Sequence, residues 1–85
     1  MAEQEIGVVQ HYFDKISVAI IALIQGELAI GDIVHIKGHT TDVTTKIESL
    51  QIEHTKIEKG KAGDSVGTKV AAKVRPQDKV FKVTP

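Results

Sequence analysis

Four basic side chains in the second half of the chain are the residues best suited to binding a charged ligand: Lys46, Lys69, Lys73 and Arg75. Residues 66–74 alternate between apolar and polar positions, so a strand there would place the last three in one outward row. Such a row can follow the phosphates of a nucleic acid. No aromatic residue accompanies it for base stacking, and a solvated strand face that discourages edge pairing is the alternative. We therefore predict a candidate nucleic-acid site at these four residues.

The remaining reactive side chains are too scattered to form a catalytic or metal-binding set. The chain has no cysteine, and its histidines are His11, His35, His39 and His54. His35 and His39 are four residues apart but lie across a strand end and a glycine turn, so the logic of a shared helix face does not apply. Structural zinc usually needs four well-spaced ligands, and the serines lack a nucleophile-elbow context. The sequence predicts a protein without catalytic residues, metal or cofactor.

Composition bounds the function further. The 85 residues carry eleven basic and eleven acidic side chains, enough chain for one domain. Up to residue 43 the acidic groups outnumber the basic ones by six to two, and beyond it the basic groups outnumber the acidic ones by nine to five. The simplest interpretation is that the protein has two solvated faces with net charges of opposite sign. The overall balance argues against strong non-specific nucleic-acid binding, which needs surplus positive charge.

The N-terminal sequence and the longest apolar run predict the compartment. The acidic start, Met-Ala-Glu-Gln-Glu, lacks the order of a signal peptide. The apolar run over residues 16–24 is too short for a bilayer span, which needs about 20 apolar residues. We expect a cytoplasmic protein without membrane contact.

Three turns that contain an aspartate precede β-branched runs and predict an all-β fold. Gly31-Asp32 precedes residues 33–37, Gly63-Asp64 precedes residues 66–74, and Asp78 precedes residues 80–83. Glycine adopts backbone angles that other residues avoid, and aspartate bonds its own nearby backbone. The predicted strands cover residues 6–13, 16–24, 33–37, 41–54, 66–74 and 80–83, with a bulge or bend near Glu48-Ser49 and a further short segment around Ile57. Residues 1–5 are predicted to be a flexible N-terminus, and residues 6–85 one domain.

The second predicted strand is apolar on both faces. Ile16, Val18, Ile20, Ala22 and Ile24 lie on one face, which we assign to the core. Ala19, Ile21 and Leu23 lie on the other face and would form a docking patch for a partner protein or a second copy of the chain. Coverage by the protein's own chain, either the loop at residues 25–30 or the N-terminal arm, is the alternative.

Several stretches together resemble the second domain of translational GTPases such as elongation factor Tu and bacterial initiation factor two. They are Gly-Val-Val at 7–9, residues 28–38, residues 62–67 and residues 74–80. The resemblance covers residues 6–83 and implies a six-stranded closed Greek-key barrel. It also implies a non-catalytic module that contacts RNA, the ribosome or a translation factor. A similar barrel resembles the C-terminal accessory domain of collagenase-like peptidases, which implies an accessory domain to a separately encoded enzyme.

The chain departs from the translational GTPases at several places. It has no Gly-rich phosphate loop, so no GTPase is present. Ile21-Ala22 stands where elongation factor Tu-like domains carry a Gly-Arg pair, and Gln77 replaces the usual glycine before the last strand. The open hypotheses are therefore an RNA or ribosome module, a protein-interaction or homo-oligomer module, and an accessory domain of an enzyme.

Overall fold

The computed structural model describes residues 2–53 and 55–84, and within that part of the chain all regular structure is β-strand. In chain order the strands are β1 (Ala2–Phe13), β2 (Val18–Leu23), β3 (Glu27–Ala29), β4 (Ile33–Lys37), β5 (Asp42–Lys46), β6 (Leu50–Ile52), β7 (Thr55–Ile57), β8 (Lys59–Lys61), β9 (Ser65–Lys69) and β10 (Lys79–Thr84). The predicted all-β class is confirmed. Residues 2–5, for which the sequence predicts a flexible terminus, form the start of β1.

Eight strands form one antiparallel sheet in the order β5-β4-β10-β1-β2-β9-β6-β7, and β3 pairs with β8 in a second, small sheet. The second sheet meets the core at Gly60, where an added Cβ would come within 2.9 Å of Val66 Cγ1. Only a residue without a side chain allows this approach. The prediction of six strands closed into a Greek-key barrel is not confirmed. Among the described residues, β5 and β7 are the two edge strands of the large sheet and do not pair with each other.

The three predicted aspartate turns share one geometry. The carboxylates of Asp32, Asp64 and Asp78 each accept a hydrogen bond from the backbone N–H three residues earlier, at 2.9, 3.1 and 2.8 Å. The residue before each aspartate has a positive φ, of 99° at Gly31, 96° at Gly63 and 75° at Gln77. A positive φ at the third position is the mark of a type II turn, which also favours proline at the second position, as at Pro76. Gln77 therefore adopts the backbone conformation that glycine adopts in the other two turns.

The core is formed by the inward side chains of the large sheet, by Leu28 of β3, and by Ile47, Val70 and Val74 from the segments between strands. Its fully buried members include Ile6, Ile21, Leu28, Ile36, Ile47, Leu50, Val66 and Val80. The predicted long fourth strand is divided near Glu48-Ser49, between β5 and β6. This break allows Ile47 and Leu50 both to be buried, although they are an odd number of positions apart.

The strand predicted over residues 66–74 ends at Lys69. Its partner β2 begins at Val18, and Val18 pairs with Lys69, so the following residues have no strand to pair with on that side. Val70 still donates a backbone hydrogen bond to Ser17 at 2.9 Å, after which the chain becomes irregular as far as Asp78. Val74 is buried from within this irregular segment.

Candidate docking surface

An apolar hollow of about 330 Å³ lies on the outer side of the large sheet. Its apolar walls are Phe13, Ile16, Val18 and Ile20, and its remaining lining residues are Gln51, Glu53, Ser65 and Gly67. Phe13 is 49% exposed and Ile16 58% exposed, although both are large hydrophobic side chains. We call this feature the hairpin hollow, because its apolar walls come from β1, β2 and the turn between them.

The strand register explains why these side chains gather. Phe13 pairs with Val18, and Ile20 pairs with Gly67 of β9. Residues that pair directly across a sheet point to the same side, so the register puts Phe13, Val18 and Ile20 on one surface. Gly67 deepens that surface, because a Cβ there would lie 3.2 Å from Ile20 Cδ1 and 3.5 Å from Val18 Cγ1.

The hairpin hollow is suited to binding and offers little for catalysis. Exposed aliphatic and aromatic carbon attracts another apolar surface without directional chemistry. The other lining residues add a carboxylate from Glu53, an amide from Gln51 and a hydroxyl from Ser65. A mainly apolar patch that also carries a few polar groups is typical of a protein–protein contact.

The residues predicted to form a docking patch, Ala19, Ile21 and Leu23, lie instead in the core. Their side chains are 0%, 0% and 2% exposed, so they contact the protein's own interior. The alternation along β2 was predicted correctly, but the assignment of its two faces to core and solvent was wrong. Ile16 and Ile24, which were predicted to lie on the core face, lie beyond the two ends of β2 and are 58% and 57% exposed.

The four predicted nucleic-acid-binding residues do not form one row. Lys46 and Lys69 lie at the ends of β5 and β9 and line one shallow hollow together with Glu48. Arg75 lines a different hollow beside Gly38 and Asp78. Lys73 lies in the irregular segment after β9. The row would have required the strand to continue past Lys69, and β2 is too short to pair with such a continuation.

Charged side chains also make close contacts elsewhere on the surface, among them an ion pair of Lys82 with Asp32 at 3.2 Å. Lys59 and Glu27 form an ion pair at 2.7 Å across the small sheet, and this contact lowers the pKa of Glu27 and raises that of Lys59. His35 on β4 contacts Glu3 of β1 and Asp42 of β5. Across residues 2–53 and 55–84, no three metal-ligating side chains gather where they could hold an ion. His54 lies outside the described residues.

Sequence comparison links the chain to a family and to several longer proteins. Residues 11–66 match the family model described as "Mechanosensitive ion channel, beta-domain". A collagenase of Porphyromonas gingivalis is 39% identical over 72 residues, which are 84% of this chain and 20% of that protein. An uncharacterized protease of Methanocaldococcus jannaschii is 42% identical over 78 residues, which are 91% of this chain and 19% of that protein. The chain therefore spans about a fifth of the length of these relatives.

Structural comparison identifies the same fold in a separate domain. The C-terminal domain of a Geobacillus thermoleovorans protein named as a U32 peptidase superposes with a TM-score of 0.88 at 20% identity. The match covers 95% of this chain and 93% of that domain. At this identity the similarity establishes a shared fold and no shared activity. In the described part of the chain, nothing helical is long and apolar enough to cross a bilayer.

These comparisons correct the resemblance to translational GTPases. The matching family is a channel β-domain and the relatives are named as proteases, so the assignment to translation and to RNA binding was wrong. The stretches that suggested it are mostly turns followed by β-branched strands. Such stretches meet the backbone requirements of any small domain with these turns, so they recur in unrelated families.

Proposed function

The chain belongs to the family of mechanosensitive ion channel β-domains, and from this premise we propose that it is a non-catalytic accessory domain of a U32 or collagenase-like peptidase. The proposal rests on how much of this chain, and how little of each relative, the alignments include. Most of this chain aligns at 39% and 42% identity with proteins named as proteases, yet it corresponds to only about a fifth of each. The same fold also occurs as the C-terminal domain of a protein named as a U32 peptidase.

We infer that the hairpin hollow is the surface that contacts the catalytic part of such a peptidase. A domain that accompanies a larger unit needs a surface on which the two can pack. Burying apolar surface contributes about 25 cal/mol per Å², and Phe13 and Ile16 offer large, half-exposed side chains for this purpose. The polar groups of Gln51 and Glu53, which also line the hollow, can hydrogen-bond to the partner.

Two exposed isoleucines that flank β2 provide a matched test. Ile16 is 58% exposed and lines the hairpin hollow, whereas Ile24 is 57% exposed and lies outside it at the other end of the strand. The partner is the M. jannaschii protease from which the segment matching this chain has been deleted. Binding of the domain to that truncated protein is measured by isothermal titration calorimetry. We expect Ile16→Asp to weaken binding about tenfold or more, as for a central contact residue, and Ile24→Asp to change it little.

The result that contradicts the proposal is a wild-type domain that does not bind the truncated protease, or an equal loss of binding in both variants. Sedimentation of the domain alone tests whether the hairpin hollow binds a second copy of the chain instead. A dimer that Ile16→Asp dissociates would assign the hairpin hollow to a second copy of the chain and refute the peptidase contact.

A further inference from the structure

The first residues of β1 pair with one neighbouring strand only, and on their other side the Gln25 side-chain amide donates a hydrogen bond to the Glu5 carbonyl oxygen. Ala2 to Glu5 pair with β10, from Ala2 opposite Thr84 to Glu5 opposite Phe81. Pairing of β1 with β2 begins at Gly7, opposite Leu23. A strand end with a single neighbouring strand has few contacts to lose and opens before the rest of the sheet. We call residues 2–5 the arm.

His35 ties this arm to the far edge of the sheet. Its Nδ1 lies 2.9 Å from Glu3 Oε2, and its Nε2 contacts Asp42 Oδ1. Glu3 is on β1, His35 on β4 and Asp42 on β5, so the two contacts extend across β10 and connect four adjacent strands. The imidazole side chain is only 15% exposed, which holds it in place between the two carboxylates.

One of these contacts needs one N–H on the imidazole ring, and both together need two. An ionised carboxylate only accepts hydrogen bonds, and a neutral imidazole carries one N–H. A neutral His35 can therefore donate to Glu3 or to Asp42, and only the imidazolium donates to both. The unprotonated nitrogen of the neutral ring would face a carboxylate oxygen, and two acceptors in contact repel each other.

We propose that His35 is a pH-dependent clamp that holds the arm against β4 and β5 when both of its ring nitrogens are protonated, and loosens the arm when one proton is lost. The clamp is independent of the peptidase contact, because it lies on β1, β4 and β5 and uses no residue of the hairpin hollow.

The charged groups around the ring favour the protonated, clamped form of His35. Asp42 and then Glu3, through their hydrogen bonds, raise the pKa of His35 above its ordinary value of 6.5, and burial opposes them. The strand register also places Lys37 of β4, Lys46 of β5, Lys79 of β10 and Glu5 of β1 on the same side of the sheet. The carboxylates of Glu3 and Asp42 are the charged groups in contact with the ring.

The sign of the pH effect follows from the raised pKa. A group that binds its proton more tightly in the clamped state stabilises that state below its ordinary pKa. The clamp is therefore complete below a pH of about 6.5 and is lost as the pH rises through the raised pKa of His35.

Amide hydrogen exchange of the full chain tests the clamp. Protection factors, which correct for the intrinsic pH dependence of exchange, are compared for the arm and for Ile21 of β2 between about pH 5.5 and about pH 8.5. We expect arm protection to fall roughly two- to fivefold at the higher pH, the size of a partly exposed charged pair, while protection at Ile21 stays constant. His35→Gln should remove this pH dependence. His39→Gln, at an exposed histidine after β4, is the matched control and should retain it.

Nitrogen-15 spectra of the imidazole supply the second measurement, and they remain informative if a variant is poorly folded. In the wild-type chain we expect both His35 nitrogens to be protonated at about pH 6.5, at the midpoint of an ordinary histidine. Glu3→Gln should lower the pKa of His35 and reduce arm protection at low pH. Arm protection that is unaffected by pH, or an imidazole that titrates at or below 6.5, would overturn the proposal.

Discussion

The two faces of β2 have nearly the same composition and opposite surroundings. Ala19, Ile21 and Leu23 are buried in the core, whereas Val18 and Ile20 line the floor and wall of the hairpin hollow and are only partly buried. The inner side chains are part of the buried hydrophobic cluster that forms the core. The outer ones have neighbours only within the sheet and are open to solvent above it. An apolar side chain therefore contributes to stability on one face of this strand and is available for binding on the other.

The two faces also differ in the substitutions that they tolerate. On the inner face, volume is fixed by close packing, and losing a methylene leaves a void that the surroundings fill only in part. On the outer face, solvent fills any space that a smaller side chain leaves. Substitutions of the same kind on adjacent residues should therefore have very different effects.

The largest effect is expected from shortening adjacent isoleucines. Ile21→Ala should lower the free energy of unfolding by about 2–5 kcal/mol, because Ile21 is fully buried. Ile20→Ala, one residue away on the outer face, should cost about 1 kcal/mol, because its side chain is only partly buried. Urea denaturation of both variants measures the two values. Equal losses would mean that the outer face is covered in the folded protein.

A smaller effect, in this case a gain in stability, is expected from replacing Thr68 on the inner face of β9. Thr68 is 1% exposed, and among the described residues its Oγ1 has no hydrogen-bond partner. A buried hydroxyl without a partner carries a desolvation cost, so Thr68→Val should raise the free energy of unfolding by about 1 kcal/mol. Thr55→Val, at an exposed position of β7, is the control and should change stability little. Destabilisation by Thr68→Val would contradict the assignment of an unsatisfied hydroxyl to this face.

The smallest change in stability is expected at Gly67, opposite Ile20 on the outer face. The added methyl of Gly67→Ala would lie 3.2 Å from the flexible end of Ile20, which can move by a few tenths of an ångström. The lower conformational entropy of the unfolded alanine chain offsets this crowding, so the free energy of unfolding should change by less than about 0.5 kcal/mol. The methyl group also makes the hairpin hollow shallower, so binding to the truncated protease should weaken. A large loss of stability would show that Gly67 is packed as tightly as the inner face.

Turn chemistry is the part of the fold that the sequence predicts best. The turn hydrogen bonds that Asp32, Asp64 and Asp78 accept each lie within four consecutive residues, so composition and order suffice to predict them. Even Gln77, which lacks the freedom of glycine, is identified as part of a turn by its neighbours Pro76 and Asp78.

Sites that depend on several strands are predicted poorly. The basic row failed because the length of β9 depends on where β2 begins, some fifty positions earlier in the chain. The contact between His35 and Glu3 was not predicted, because the two residues are 32 positions apart and meet only through the placement of β10 between their strands. No local pattern around His35 signals that two carboxylates will contact it.

The sequence by itself determined the all-β class, the positions of the three aspartate turns and the two-residue alternation along β2, because each depends on interactions between near neighbours. Tertiary structure alone decided which face of β2 is buried. Alternation defines two faces but not which of them meets the core, and that choice depends on where β1, β9 and the strands beyond them place their own apolar side chains.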